Sequence, residues 1–255
     1  MIYAIMIIFS VISSCFVPYI EKQTREKKKK CVIYLKSLKR NGMICVSLFL
    51  PLLVSSLRYD LGTDYSYTYI PQFNSIAMGS RGYYEIGFYL LNRLVSFFTN
   101  EGQWLIVLCS ILFVGIVYRQ IYRESKVYAL SILLLYLSFA YFVSLNNIRQ
   151  SLASAFLLIA IECLRENKKR GFVIWVLLAT FMHQVSLIFL ILFFADRIML
   201  QATVYLIVSI VAFGAQQIIG ERIVQLFANH IPRLQLYFQA QELSSYTGNT
   251  IGRYY

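Results

Sequence analysis

Long apolar runs, several of them near 20 residues, are the feature that most limits what this chain can fold into. A helix of about 20 apolar residues crosses the hydrocarbon core of a bilayer. The composition agrees, because 58% of the 255 residues are hydrophobic and only 14% are charged, whereas a soluble domain has about 25% charged residues. The pattern predicts an all-α, polytopic transmembrane helix bundle of about seven spans, forming a single integral membrane domain over residues 1–255. The predicted spans are 2–20, 42–57, 104–118, 127–145, 151–163, 172–195 and 201–219.

The basic residues lie in short blocks between the apolar runs, which is the positive-inside pattern of a multispanning membrane protein. Segment 21–40 contains nine Lys and Arg residues and is predicted to be a basic cytoplasmic loop. The three predicted cytoplasmic loops hold 16 of the 24 basic residues and the predicted outer segments hold four. A net charge of +12 distributed in this way does not indicate nucleic-acid binding.

The predicted extracytoplasmic loop, 58–102, begins with the most polar stretch among the apolar runs. Its first twelve residues contain Arg58, two aspartates and four tyrosines. An apolar chain that displays such groups at a membrane surface makes this stretch the leading candidate for the working site. Tyrosines in such a position more often form an interfacial aromatic belt than a ligand platform; Tyr65 is nevertheless a candidate for substrate binding.

Residues 84–98 have helical periodicity and are predicted to form an interfacial helix on the outer leaflet. Its polar residues recur on one stripe, at Glu85, Tyr89, Asn92 and Ser96. Fifteen residues with this stripe are too short and too polar for a normal span. A short extra span stays open as an alternative, and it would reverse the orientation of everything that follows.

Arg149 stands between two apolar runs with almost no loop around it, beside Asn147 and Gln150. An arginine facing lipid costs about 2.5–3.5 kcal/mol, so it must reach the headgroups or face a hydrated cavity. Two interpretations remain: a snorkelling or helix-capping residue, or an anion-binding arginine. Arg58 has the same placement at the end of the second span, so the two arginines could share one phosphate-bearing ligand.

Three residues are candidates for proton transfer. Asp64 and Glu85 are the outer carboxylates nearest to apolar structure, and each is either a general base or an ion-pair partner for an arginine. His183 lies near the middle of the apolar segment 172–195. The segment is either one tilted span, which the lack of Gly and Pro favours, or two half-helices that turn at the histidine, which the cost of a lone histidine in lipid favours.

Metal and cofactor chemistry has no sequence signature in this chain. Five cysteines are scattered without a C-x-x-C pair, and two histidines are not clustered with acids. No nucleotide-binding loop is present in the sequence. No cofactor and no metal are therefore expected.

Four motifs in order give the chain a resemblance to a known family. They are Arg58 with Gly62-Thr-Asp-Tyr65, then Glu85-Ile-Gly-Phe-Tyr-Leu-Leu-Asn92, then Asn147-Ile-Arg-Gln-Ser-Leu-Ala153, and finally Phe181-Met-His-Gln-Val-Ser186. Together they resemble the EpsG family of bacterial exopolysaccharide and capsule biosynthesis proteins, related in role to Wzy-type polymerases. The family usually continues for several more spans, so the chain resembles a C-terminally shortened member.

The resemblance implies a multi-pass protein of the bacterial cytoplasmic membrane that joins undecaprenyl-pyrophosphate-linked oligosaccharide repeat units at the outer face. The residues themselves supply compatible groups: Asp64, Glu85 or His183 could take the hydroxyl proton. The candidate substrate contacts are Arg58, Tyr65, Asn147, Arg149 and Gln150. The expected partners are the lipid-linked oligosaccharide, the bilayer and other polysaccharide-assembly proteins. One alternative is a transporter or flippase for the same lipid-linked sugar, which would be expected to contain internal repeats. The other is a non-catalytic assembly subunit.

Overall fold

A computed structural model of the chain describes residues 1–17, 30–61, 64–81, 85–197, 210, 211 and 214, without the side chains of 30–40 and 195–197. Over these residues the fold is all-α, as predicted, and no strand is present. The α-helices are α1 Ile2–Cys15, α2 Lys30–Ser56, α3 Ile70–Ala77, α4 Ile86–Phe98, α5 Gln103–Glu124, α6 Tyr128–Leu137, α7 Ala140–Asn146, α8 Ile148–Arg165 and α9 Lys169–Met182. A π-helical turn, Tyr65–Tyr69, leads directly into α3, and a 3-10 helix, Gln184–Arg197, follows α9.

The chain divides into two compact units, Met1–Phe194 and Ala195–Tyr255. The first unit contains all nine of the described α-helices. In the second unit the structure describes only 195–197, 210, 211 and 214. The predicted span 201–219 and the polar tail therefore fall almost entirely outside the described residues.

The number of membrane spans is the part of the fold prediction that is not confirmed. Of the described helices, α5 alone is long and apolar enough to cross a membrane, with 22 residues and a mean hydropathy of 2.0. The α6 and α7 helices pass the same test as a pair bent by 51°. Among the described residues, one helix meets this test, or two if the bent pair is one span, so about seven spans is not confirmed.

Two of the predicted spans are not continuous helices in the structure. The predicted span 127–145 breaks at Phe139, which has a left-handed φ of 60°. The segment 172–195 breaks at His183, whose backbone is extended with φ −153° and ψ 112°. Of the two alternatives for this segment, the structure supports the one with a break at the histidine, although neither Gly nor Pro marks the break.

The beginning of α2 also differs from the sequence prediction. The helix starts at Lys30, whereas the second span was expected from residue 42, so the second half of the predicted basic loop 21–40 is helical. Helix α4 agrees closely with the predicted helix 84–98. The membrane side of the loop and the interfacial position of α4 stay predictions.

Tyrosine and serine hydroxyls link the helices of the interior. Ser10 of α1 bonds to Tyr118 of α5 (2.5 Å), which bonds to Tyr136 of α6 (2.8 Å). Tyr122 contacts Ser14 of α1 (2.8 Å) and Ser47 of α2 (2.7 Å) in the same way. Small polar residues and interhelical hydrogen bonds of this kind are typical of helices that pack within a membrane.

Helix α4 buries one polar side chain on its inner face and exposes large apolar side chains on its outer face. Asn92 is fully buried, and its amide donates to the Phe88 carbonyl at 2.7 Å. Leu90, Leu94 and Phe97 are exposed on the opposite face. A buried amide opposite exposed large apolar side chains suits a helix whose outer face meets lipid.

Candidate active site

Glu85 and Arg149 form a half-buried ion pair between two helices that are distant in sequence. Glu85 precedes α4 and is only 7% exposed, and Arg149 is the second residue of α8. The Arg149 guanidinium donates to Glu85 Oε2 at 2.6 Å. It also lies 5.8 Å from the centre of the Phe88 ring, where a cation is attracted by the aromatic face.

His183 completes this group from a third element. Its Nδ1 lies 3.8 Å from Glu85 Oε1, which is too long for a hydrogen bond but close enough for an ion pair when the ring is protonated. The His183 main-chain N–H donates to the Ala179 carbonyl at 2.8 Å, so the residue closes the last turn of α9. We call Glu85, Arg149 and His183 the charged cluster.

A glycine allows α4 and α9 to approach closely enough to form the charged cluster. A Cβ at Gly87 would lie 2.8 Å from the Phe181 backbone carbonyl group and Cβ. Gly87 stands two residues after Glu85, and Phe181 stands two residues before His183. The close contact therefore brings the carboxylate and the imidazole together.

The π-helical turn is attached to the start of α8. The Tyr69 hydroxyl accepts a hydrogen bond from the Ile148 main-chain N–H at 2.9 Å, which satisfies an N–H group that the helix itself leaves free. Asn146 Oδ1 accepts a bond from the Asp64 main-chain N–H at 3.1 Å. These two bonds hold the outer tyrosine-rich stretch against the helix that carries Arg149.

Asp64 is near the charged cluster but does not join it. Among the described residues, no hydrogen bond or ion pair links the Asp64 carboxylate to Glu85, Arg149 or His183. The residue precedes the π-helical turn and is half-buried. Its contact with α8 is through its backbone.

Arg58 is buried in a different environment from Arg149. It is 7% exposed, its Nη1 donates to the Ser55 carbonyl at 3.0 Å, and no described acid pairs with it. Its Nε has no described partner. Desolvation by burial lowers the pKa of the guanidinium from its ordinary value, although arginine stays charged in proteins.

A small cavity adjoins Arg58. Its volume is about 10 Å³, which is near the lower limit for holding one water. Its lining consists of Ser55, Arg58, Cys109, Ser110, Phe113, Ser144, Ile148 and Ser151. Because Ile148 and Ser151 belong to the first turn of α8, Arg58 lies close to the helix that begins with Arg149.

Tyr65, Asn147 and Gln150 make no described side-chain hydrogen bond to the charged cluster. The Tyr65 ring is buried, and its hydroxyl donates to Gln103 Oε1 at 2.5 Å. Asn147 forms the single-residue link between α7 and α8, and its main-chain carbonyl accepts from Ser151. Gln150 is exposed at the start of α8.

The structure thus unites three of the eight predicted site residues and leaves five around them. Gln103, Tyr69 and Gly87 were not among the predicted site residues. Gln103 donates from Nε2 to the carbonyls of Ser56 (2.7 Å) and Arg58 (3.1 Å) and holds the end of α2. Its position as a lone amide at the start of an apolar helix is the signal that could have identified it.

The apolar outer faces, the hydroxyl-linked interior and the buried charged cluster together define a helical membrane protein with a polar site between its helices. The sequence comparison is more specific. The chain belongs to the EpsG family, whose model matches residues 42–253. This is a family of membrane proteins of polysaccharide biosynthesis. No curated protein and no solved structure matches the chain.

Proposed function

We propose that this protein polymerises undecaprenyl-pyrophosphate-linked oligosaccharide repeat units by glycosyl transfer at the outer face of the bacterial cytoplasmic membrane. Family membership supports the pathway class. The observation that carries the proposed chemistry is the charged cluster, in which a buried carboxylate, an arginine and a histidine converge from three separate segments. Buried ionisable groups within a membrane protein are costly, which favours a functional role for them.

The reaction requires an acceptor hydroxyl and a good leaving group. The hydroxyl oxygen attacks the anomeric carbon of the donor sugar, and the bond from that carbon to the pyrophosphate oxygen breaks. The electron pair leaves with the undecaprenyl pyrophosphate, and the hydroxyl proton passes to a base on the protein. Fixed positive charge near the departing oxygens lowers the barrier, because it stabilises charge that develops in the transition state.

Arg149 is suited to exchange partners during such a reaction. In the structure its charge is neutralised by Glu85. A pyrophosphate that binds the guanidinium in a bidentate manner would compete with the carboxylate for the same N–H donors. That exchange would release Glu85 to accept the hydroxyl proton, so one binding event prepares both the leaving group and the base. Arg58, which has no described acid partner, would supply a second positive charge nearby.

Glu85 and His183 are both placed to act as the base. The carboxylate is within 2.6 Å of Arg149, and the imidazole Nδ1 is 3.8 Å from the other carboxylate oxygen. In one arrangement Glu85 takes the proton and His183 orients it. In the other arrangement His183 takes the proton and Glu85 stabilises the imidazolium.

A gene deletion followed by analysis of the lipid-linked oligosaccharides tests the proposal. We expect single repeat units to accumulate on undecaprenyl pyrophosphate, facing outward, and the wild-type gene to restore polymer. Accumulation facing the cytoplasm would instead identify a flippase. An unchanged lipid-linked pool with normal polymer would contradict both enzymatic polymerisation and transport.

A further inference from the structure

An open groove lies beside the π-helical turn and is separate from the charged cluster. Its volume is about 390 Å³, within the range of small-molecule sites. The groove is lined by Tyr59, Tyr65, Ser66, Ile70, Glu101, Gly102 and Gln103. We refer to these residues as the tyrosine groove.

The tyrosine groove combines an aromatic wall with a free carboxylate. The Tyr59 and Tyr65 rings meet edge to face with centroids 5.7 Å apart. Tyr65 is held by its bond to Gln103, whereas Tyr59 is 82% exposed and presents its ring to an incoming molecule. Glu101 is exposed, and no described residue donates a hydrogen bond to its carboxylate or pairs with it.

The charge of the groove indicates which polar molecules it would accept. Glu101 lines it, Asp60 stands next to Tyr59 and accepts a bond from Ser66, and no lysine or arginine belongs to its described lining. An anionic phosphate headgroup would be repelled there. A neutral polyhydroxylated ligand fits, because its apolar C–H face can cover an aromatic ring while its hydroxyls donate to a carboxylate.

We propose that the tyrosine groove binds the saccharide portion of the substrate, with Tyr59 as the stacking platform and Glu101 as the hydroxyl acceptor. The choice of occupant rests on the proposed function. The π-helical turn connects this groove with the charged cluster: Tyr65 lines the groove, while Tyr69 bonds to the start of α8 and packs on Phe88. The same π-helical turn would thus contact the sugar in the groove and hold α8, which carries Arg149 of the charged cluster.

Binding to the full-length protein in lipid nanodiscs tests this inference. The probes are the single repeat unit, released by mild acid from the producing bacterium's lipid-linked pool, and longer oligosaccharides from partial hydrolysis of its polysaccharide. We expect Tyr59→Ala to weaken saccharide binding about tenfold or more, because the stacking surface is lost. Glu101→Gln should weaken binding by a smaller factor, and Tyr59→Phe should retain it because the ring remains.

Tyr67→Ala is the matched control. Tyr67 is 84% exposed, lies on the same turn and does not line the groove. We expect this variant to bind as the wild type does. Equal binding by Tyr59→Ala and Tyr67→Ala would show that both are ordinary interfacial tyrosines and would overturn the inference, as would a wild-type protein that binds neither probe.

The two probes also distinguish the part of the substrate that is held. Equal binding of both supports a site for an incoming repeat unit, whereas preference for the longer oligosaccharides supports a site for the growing chain. Failure of the groove is distinguishable from failure of the proposed function. The first appears as unchanged nanodisc binding in Tyr59→Ala, and the second appears as no outward accumulation of repeat units in the deletion strain.

Discussion

At the scale of single residues, Arg58 and Arg149 have similar positions in the sequence but differ in whether an acidic side chain pairs with them. Arg149 is neutralised by Glu85 at 2.6 Å, whereas Arg58 is buried without a described acid partner. A buried charge without a partner is costly. Removing one member of a buried ion pair destabilises the folded protein by about 3–5 kcal/mol. Conservative replacements are therefore needed to separate function from folding.

Arg149→Lys should remove most of the polymer synthesis while the protein still inserts in the membrane. Lysine keeps the positive charge and can still reach Glu85, but it cannot make a planar, bidentate contact with a phosphate. The measurement is polymer produced per inserted protein in the deletion strain. Full activity of the lysine variant would mean that Arg149 serves only as a charge partner or membrane anchor.

The base can be identified by comparing Asp64→Asn, Glu85→Gln and His183→Ala under the same assay. We expect Glu85→Gln to reduce polymer at least tenfold, because it removes both the base and the ion pair with Arg149. Asp64→Asn should have a smaller effect, since the described contact of Asp64 with α8 is through its backbone N–H. If His183→Ala alone abolishes synthesis and both amide variants remain near normal, the histidine is the base and the carboxylate assignment is wrong.

At the scale of elements, the meeting of α4 with α9 creates the site. Each helix carries its functional residue at one end, Glu85 just before α4 and His183 just after α9. Helix axes can approach this closely only where a side chain is missing, which explains the glycine at position 87. The interhelical contact determines the distance between the carboxylate and the imidazole.

Gly87→Ala should therefore impair polymer synthesis even though alanine favours helix formation. The added Cβ would lie 2.8 Å from Phe181 backbone atoms, which forces α4 and α9 apart. Gly115→Ala is the matched control, because a Cβ there meets nothing within 4 Å. We expect the control to keep activity and to gain about 0.5–1 kcal/mol of stability. The checks are polymer yield and thermal unfolding in detergent, and equal activity of the two variants would contradict the role assigned to the α4–α9 contact.

At the scale of the whole molecule, the charged residues collect at the two ends of α8. Arg149 pairs with Glu85 at its beginning. Near its end, Glu162 pairs with Arg119 and Arg123, and Arg165 pairs with Glu124 of α5. The structure thus joins predicted outer segments to each other and predicted cytoplasmic segments to each other, and the side of the membrane on which each group lies stays a prediction.

Cysteine-accessibility labelling in intact cells tests that orientation. In a variant without the native cysteines, a single cysteine at residue 75 should react with a membrane-impermeant maleimide. A cysteine at residue 28 should react only after the cells are opened. The reason is the excess of basic residues in the predicted cytoplasmic loops, 16 against four in the outer segments. Labelling at residue 28 but not at residue 75 would reverse the topology and move the proposed chemistry to the cytoplasmic face.

The sequence by itself determined the features that depend on local composition and periodicity. Apolar runs predict helices in a membrane, and helix 84–98 was predicted within two residues of the observed α4, Ile86–Phe98. The four short motifs were sufficient to indicate the family, which the match over 42–253 confirms. Hydropathy averages over neighbouring residues, so it detects an apolar segment but not a break within it. The interruption at Phe139 was missed for this reason, whereas a turn at His183 was one of the two alternatives that its polar side chain suggested.

Only the tertiary structure decided which of the candidate residues meet. Glu85, Arg149 and His183 are separated by 64 and 34 positions along the chain, and no periodicity relates residues on different helices. Their contact depends on the α4–α9 approach at Gly87 and on the attachment of the π-helical turn to α8 through Tyr69. The same packing gives Arg58 and Arg149 different surroundings, although both follow apolar runs, because one guanidinium adjoins a serine-lined cavity and the other meets a carboxylate.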